Sequence, residues 1–159
     1  MKIRNLILDV DGVLTDGTFW YSRSGKNLKR FGSHDAQAIK IASNVLNIEA
    51  ITADRRGYSI SLKRCKDLGI KLNLVSEGMR ADWIKSNFVM EESAFFGDSF
   101  SDIPAISSVK YSFAANNSFF AYKQKCTHKL ISNSAEGAVA EAIDILFFEI
   151  TSKHLWENV

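Results

Sequence analysis

Proline is almost missing from this chain, with Pro104 alone in 159 residues. With it goes any evident linker or low-complexity tract, and no internal repeat is visible either. Cysteine is scarce: Cys65 and Cys126 are too few for a disulfide framework and lack a CxxC spacing. Both read as reduced thiols. Histidine is equally sparse, and His34, His128 and His154 show no ligand spacing to one another or to the cysteines, which argues against zinc. No apolar run approaches the roughly 18 residues of a spanning helix. The segment Lys2–Val10 is short and runs straight into acidic residues, so no secretory signal is expected and the chain reads as cytoplasmic. Charge of one sign is lacking too. The formal net charge is +2, with Lys and Arg scattered, which speaks against nucleic acid and membrane surfaces as partners.

What remains is the composition of an ordinary globular protein, 46% apolar and 24% charged, long enough for one domain with its own core. Short apolar runs alternate with amphipathic stretches, the pattern of strands and crossover helices in a mostly parallel α/β sheet. Strands are expected at Leu6–Val10, Ile48–Thr52, Lys71–Val75, Ser93–Phe96 and Val109–Ala114. Helices are expected at Ala36–Leu46 with Asp35 as N-cap, at Tyr58–Leu68 closed by Gly69, at Arg80–Asn87 and at Glu136–Phe148. Pro104 suits the first turn of a short helix. Thr18–Tyr21 and Leu28–Phe31, either side of a Ser/Gly turn, predict a β-hairpin.

In open α/β sheets ligands bind beyond the carboxyl ends of the strands. Asp9, Asp11, Thr52 and Asp98 all fall at or just after such ends. An apolar strand that delivers Asp9 and Asp11 into a glycine-bearing turn is hard to explain by stability, because like charges held close repel. A divalent cation removes that cost, and Mg²⁺ prefers a few carboxylates plus water. With the ion present, Asp9 can attack phosphorus as a covalent nucleophile. Asp11 is then placed to protonate the leaving alcohol and to activate water.

The stretch Asp9-Val10-Asp11-Gly12-Val13-Leu14-Thr15 resembles DxDGxxT, the first motif of the haloacid dehalogenase superfamily. Gly97-Asp98-Ser99-Phe100-Ser101-Asp102 is similar to its fourth motif, GDxxxD. The resemblance implies a Rossmann-like fold with helices on both faces of the sheet. It also implies Mg²⁺ held by the Asp9 carboxylate, the Asp11 main-chain carbonyl and Asp98, with Asp102 supporting the outer shell. Ile51-Thr52-Ala53 looks like the second motif, whose hydroxyl (Thr52) and following amide (Ala53) hold the phosphate. The third motif is normally a Lys. Here Arg80 is the best match, with Lys85 and Lys63 as rivals on neighbouring helices.

No room remains for a separate cap domain, and residues 1–159 read as one hydrolase domain with a hairpin insertion at about 18–31. This resembles the capless subfamily of 3-deoxy-D-manno-octulosonate 8-phosphate phosphatases and the related modules of sialic-acid cytidylyltransferases. The likeness implies a homotetramer assembled through the hairpins, and Phe19, Trp20 and Tyr21 supply a suitably apolar strand. It also places Asp35 near the active-site entrance as a substrate-binding residue. The sequence departs from the pattern in extra residues after Thr52, in Arg80, and in Ala140, where the family carries an arginine expected to bind the acidic sugar. The expected activity is hydrolysis of a small sugar or sugar-acid phosphate, 3-deoxy-D-manno-octulosonate 8-phosphate or a related nonulosonate phosphate. The alternative is a non-catalytic oligomerisation or regulatory subunit on the same fold. A degenerate module would tend to lose Asp9, Asp11 or Asp98, and this chain keeps them.

Overall fold

The computed structural model describes residues 2–158. Its centre is β1 (Asn5–Asp9), whose side chains alternate between the two sheet faces, as strand geometry requires. Four of its five residues are buried, the signature of a strand covered on both sides. β4 (Asn47–Thr52) and β6 (Ser93–Phe96) pair with it in parallel register, Asp9 opposite Ile51 and Leu8 opposite Phe96. β5 (Lys71–Leu74), β7 (Tyr111–Ala114) and β8 (His128–Lys129) complete a parallel sheet in the order β5-β4-β1-β6-β7-β8. β2 (Trp20–Ser22) and β3 (Gly25–Leu28) form a separate antiparallel hairpin.

Leu6, Leu8, Ala50, Phe96 and Phe113 point to one face. There they pack with α1 (Ser33–Ala42), α6 (Ala138–Thr151) and Cys65 of α2 (Tyr58–Leu68). Ile7, Ile51, Phe95 and Ala114 point the other way, against α3 (Arg80–Asn87), α4 (Ile103–Ile106) and α5 (Phe120–Lys125). The chain therefore has a Rossmann-like sheet with helices on both faces. None of the described helices is long and apolar enough to cross a membrane.

Most expected elements lie within a few residues of their predicted bounds. α2 ends at Gly69, which is left-handed and donates its N–H to Cys65 and Lys66 carbonyls, as a glycine cap does. Pro104 sits in the first turn of α4. Three details differ. The hairpin strands are shifted inward toward the turn, so Phe31 lies outside β3 and instead bridges Thr15 at the foot of the hairpin. α1 begins at Ser33 with Gly32 as its N-cap, so Asp35 lies inside the first turn and is not the cap. α5 and β8 were not anticipated. The helix is too short to show a period, and β8 is a two-residue edge strand.

Candidate active site

The turn after β1 builds the site. Gly12 takes a left-handed conformation (φ 87°), which lets the chain reverse directly after Asp11. Thr15 Oγ1 accepts the Gly12 and Gly17 amides at 3.2 and 3.3 Å, and Ser134 Oγ donates to the Gly12 carbonyl. A β-carbon on Gly12 would lie 1.9 Å from Asp98 Oδ2. Glycine is thus needed both for the turn and for the approach of the Asp98 carboxylate to the motif that carries Asp9.

Asp9 is buried at the end of β1. Arg80 Nη1 donates to its Oδ2 at 2.9 Å and Nη2 to its Oδ1 at 3.2 Å, a two-pronged ion pair. The Val10 amide adds a bond to Oδ1 at 2.8 Å. Arg80 Nη1 also reaches Asp102 Oδ1. Asp102 Oδ2 in turn receives the Asp98 and Ser99 amides, each at 3.1 Å, and Ser99 Oγ at 3.0 Å. Of the three basic candidates for the third motif, Arg80 is the one that contacts Asp9. Its rivals do not: Lys63 pairs with Asp67 on the outside of α2, and Lys85 is exposed on α3.

Burial drives the Asp9 pKa well above the usual carboxylate range; Arg80 opposes this, while Asp102 and Asp98 add to it. Burial, with the Asp102 charge behind it, pushes Asp98 up to about 7. Burial works against the Arg80 charge, yet Asp9 and Asp102 more than offset it and raise its pKa. Asp9, Asp98 and Asp102 can each bring a carboxylate oxygen within 4.8 Å of the other two. An oxygen-only donor set of this kind, too acidic for its own cations, fits a hard divalent ion such as Mg²⁺.

Thr52, buried at the end of β4, donates from Oγ1 to Asp11 Oδ2 at 3.4 Å and accepts the Asp54 amide at 3.1 Å. The first, second and fourth motifs thus meet at one sheet edge. A cleft of about 420 Å³ opens there, lined by Asp9, Asp11, Ala53, Arg80 and Asp98 together with Phe19 and Lys26 of the hairpin region.

Asp35, expected near the active-site entrance, lies apart from these residues. It does not line this cleft. It is 2% exposed, and its Oδ1 accepts the Ala140 amide at 3.0 Å at the start of α6. Helix-end amides in need of acceptors hold its carboxylate in place.

Sequence reasoning missed the cations of the hairpin. Lys29 Nζ donates to Asp11 Oδ2 at 3.0 Å, lies 2.7 Å from Oδ1 and 2.8 Å from Asp54 Oδ2, and donates to Ser61 Oγ at 2.9 Å. Lys26 Nζ meets the same Asp54 oxygen at 2.6 Å and lies 3.5 Å from the Phe19 ring centre. Burial alone would raise the Asp54 pKa, but hydrogen bonds from both lysines bring it far below the ordinary range. The i, i+3 spacing of the lysines was the available signal, and a hairpin lysine is usually solvated.

Known proteins are similar to this chain in sequence and fold. A haloacid dehalogenase-like hydrolase family model matches residues 79–143. The 3-deoxy-D-manno-octulosonate 8-phosphate phosphatase of Haemophilus influenzae is 33% identical over 150 residues, covering 91% of this chain and 83% of the relative. The cobalt-bound structure of the Haemophilus influenzae enzyme superposes with a TM-score of 0.84 at 29% identity, over 94% of this chain and 90% of that one. The Moraxella catarrhalis enzyme, in complex with magnesium, phosphate and KDO, shares the fold at a TM-score of 0.81 and 20% identity, over 91% of this chain and 86% of that one. At this identity and coverage, the chain belongs to the 3-deoxy-D-manno-octulosonate 8-phosphate phosphatase family of haloacid dehalogenase-like hydrolases, and it is a phosphatase.

Proposed function

We propose that this Mg²⁺-dependent phosphatase hydrolyses 3-deoxy-D-manno-octulosonate 8-phosphate, or a related nonulosonate phosphate, in two steps on Asp9. Asp9 attacks phosphorus, and Asp11 gives a proton to the departing alcohol. Asp11 then takes a proton from water, whose oxygen displaces Asp9 and releases phosphate. Thr52 and the Ala53 amide hold the phosphoryl oxygens, and Asp102 steadies Arg80 and the outer shell of the metal. The Asp9 carboxylate, the Asp11 carbonyl and Asp98 would hold Mg²⁺, which would neutralise charge on the clustered acids and the phosphate.

The observation that carries this reading is the grip of Arg80 on both Asp9 oxygens, at 2.9 and 3.2 Å. With the Val10 amide these bonds take three of a carboxylate's about four lone-pair sites, so one Arg80 bond has to give way for Asp9 to meet both a cation and the phosphorus. An arginine in place of the family's third-motif lysine is the one feature that suits a non-catalytic subunit. An arginine already seated on the nucleophile removes that support.

The relatives support this substrate, as does the cleft, which presents Lys26 at its hairpin side. Ala140 lacks the arginine expected to bind the sugar carboxylate, so the related nonulosonate phosphates stay within the reading. Residues 1–159 act as one domain in the cytoplasm. Trp20, Tyr21 and Leu28 are each at least 60% exposed on the hairpin. An apolar strip of this kind supports assembly into a homotetramer through the hairpins.

The test is phosphate release, with Mg²⁺, from acidic and neutral sugar phosphates. The acidic eight- and nine-carbon substrates should give the highest kcat/KM, by about tenfold or more, the discrimination of a site that pairs the substrate's charge. Equal rates on neutral hexose phosphates would remove the sugar-acid assignment.

A further inference from the structure

Lys29 has no place in the chemistry assigned above, yet its side chain is wholly withdrawn from solvent beside it. Burying an ammonium is costly unless its N–H groups all find partners. Its three donors meet Asp11, Asp54 and Ser61, at 3.0, 2.8 and 2.9 Å. These acceptors come from the turn after β1, the loop after β4 and helix α2. Ser61 Oγ itself donates to the Gly57 carbonyl at 3.3 Å, which turns its lone pairs toward the lysine. Asp54 is fixed in turn by Lys26 at 2.6 Å and by the Gly57 amide at 3.0 Å. An ammonium caged this way cannot wander, and what it holds is held too. Among the described residues, the other side chain bonded to the Asp11 carboxylate is Thr52, at a long 3.4 Å.

We propose that Lys29 is a positioning residue that aims the Asp11 carboxyl group at the leaving oxygen and at the attacking water. This rests on the acid–base role of Asp11 proposed above. In the first step the Asp11 proton passes to the leaving oxygen as its bond to phosphorus breaks and the Asp9–phosphorus bond forms. In the second, Asp11 takes a proton from water as the water oxygen bonds to phosphorus and the bond to Asp9 breaks. A carboxyl group freed from Lys29 would be misaimed for both transfers.

The test compares wild type, Lys29→Met and Asp11→Asn, all loaded with Mg²⁺, on 3-deoxy-D-manno-octulosonate 8-phosphate and on p-nitrophenyl phosphate. The aryl leaving group departs without a proton. Lys29→Met should lower kcat on the sugar phosphate about 100-fold, the size of a lost proton-transfer contribution. KM should move little, and the first turnover of the aryl ester should fall far less. Acid-quenched phosphoenzyme should accumulate, because its hydrolysis still needs Asp11. Equal losses on both substrates without phosphoenzyme would overturn the proposal. So would a raised KM with unchanged kcat, which would put Lys29 on the substrate instead.

Asp11→Asn is the control. If it shows no dependence on the leaving group, the acid–base reading of Asp11 fails. If it does and Lys29→Met does not, only the part given to Lys29 fails. Should Lys29→Met not fold, Ser61→Ala, which removes one hold on the ammonium, should show the same pattern at about fivefold, the worth of one hydrogen bond. An unaltered leaving-group dependence in that variant would overturn the proposal.

Discussion

Arg80 Nη1 and Nη2 clasp the two oxygens of Asp9 at 2.9 and 3.2 Å, although the residues lie 71 positions apart. Helix α3 presents the guanidinium at its first residue, and β1 presents the carboxylate at its last. The pair is buried on both sides, so neither charge is screened by solvent.

Removing one partner of a buried pair leaves the other uncompensated, at a cost of about 3–5 kcal/mol. Arg80→Met should therefore lower the thermal midpoint and reduce kcat about 100- to 1000-fold, as for other lost charge contacts at a reacting centre. Arg80→Lys should recover part of the rate, since a point charge can meet the site but cannot bridge two oxygens. Steady-state kinetics with a melting curve check both. An Arg80→Met enzyme of wild-type rate would remove Arg80 from the machinery.

Gly12 leaves no room for a side chain beside the Asp98 carboxylate. In Gly12→Ala the new β-carbon would meet Asp98 Oδ2 at 1.9 Å and sit on a backbone with φ of 87°. The Asp98 carboxylate must move, so the Mg²⁺ concentration for half-maximal activity should rise at least about tenfold, as when a metal site loses its supporting geometry. Magnesium titration of activity reads it. An unchanged requirement would place the ion elsewhere.

Asp98 gives a pH dependence to the metal-free protein. Its folded pKa of about 7 is above the unfolded value of 3.8, so the folded state holds the extra proton between these pH values. Stability contributed by that proton is present below about pH 4 and is lost as pH rises through 7. Asp9 shifts in the same direction. Melting in chelator should thus show this loss. The stabilisation by added Mg²⁺ should grow over the same interval, because the ion replaces protons on its ligands. A Mg²⁺ effect independent of pH from 5 to 8 would contradict it.

Asp35 separates fold from function. Asp35→Ala removes an acceptor at the start of α6 and should cost about 0.5–2 kcal/mol, the range for lost helix caps, with KM unchanged in the isolated protein. Urea unfolding and kinetics measure the two effects. A large rise in KM without loss of stability would return Asp35 to the active-site entrance.

Much of this was legible in the sequence because strand ends carry the acids. Asp9 and Asp98 close or follow buried runs of apolar residues, and such strands announce themselves by composition. Arg80 could be proposed from position, but only its contact with Asp9 distinguishes it from Lys63 and Lys85. Lys29 escaped notice because nothing in residue type distinguishes a buried lysine from a solvated one; tertiary packing decides it. The contact that Asp35 makes was illegible for a related reason. An acid in a first helical turn reads as a cap or an entrance residue, and its actual partner is the amide of Ala140, distant in sequence. The short β8 and α5 carry too few residues for a period to show.

The central claim is that Asp9 is a metal-assisted nucleophile, and one comparison tests it most directly. Phosphate release from 3-deoxy-D-manno-octulosonate 8-phosphate would be followed for wild type and Asp9→Asn, each with Mg²⁺ and with chelator. The account predicts turnover only in the wild type with Mg²⁺, while the Asp9→Asn protein stays folded and carries no acid-stable phosphate. Mg²⁺-dependent turnover by Asp9→Asn, or full wild-type activity in chelator, would contradict it.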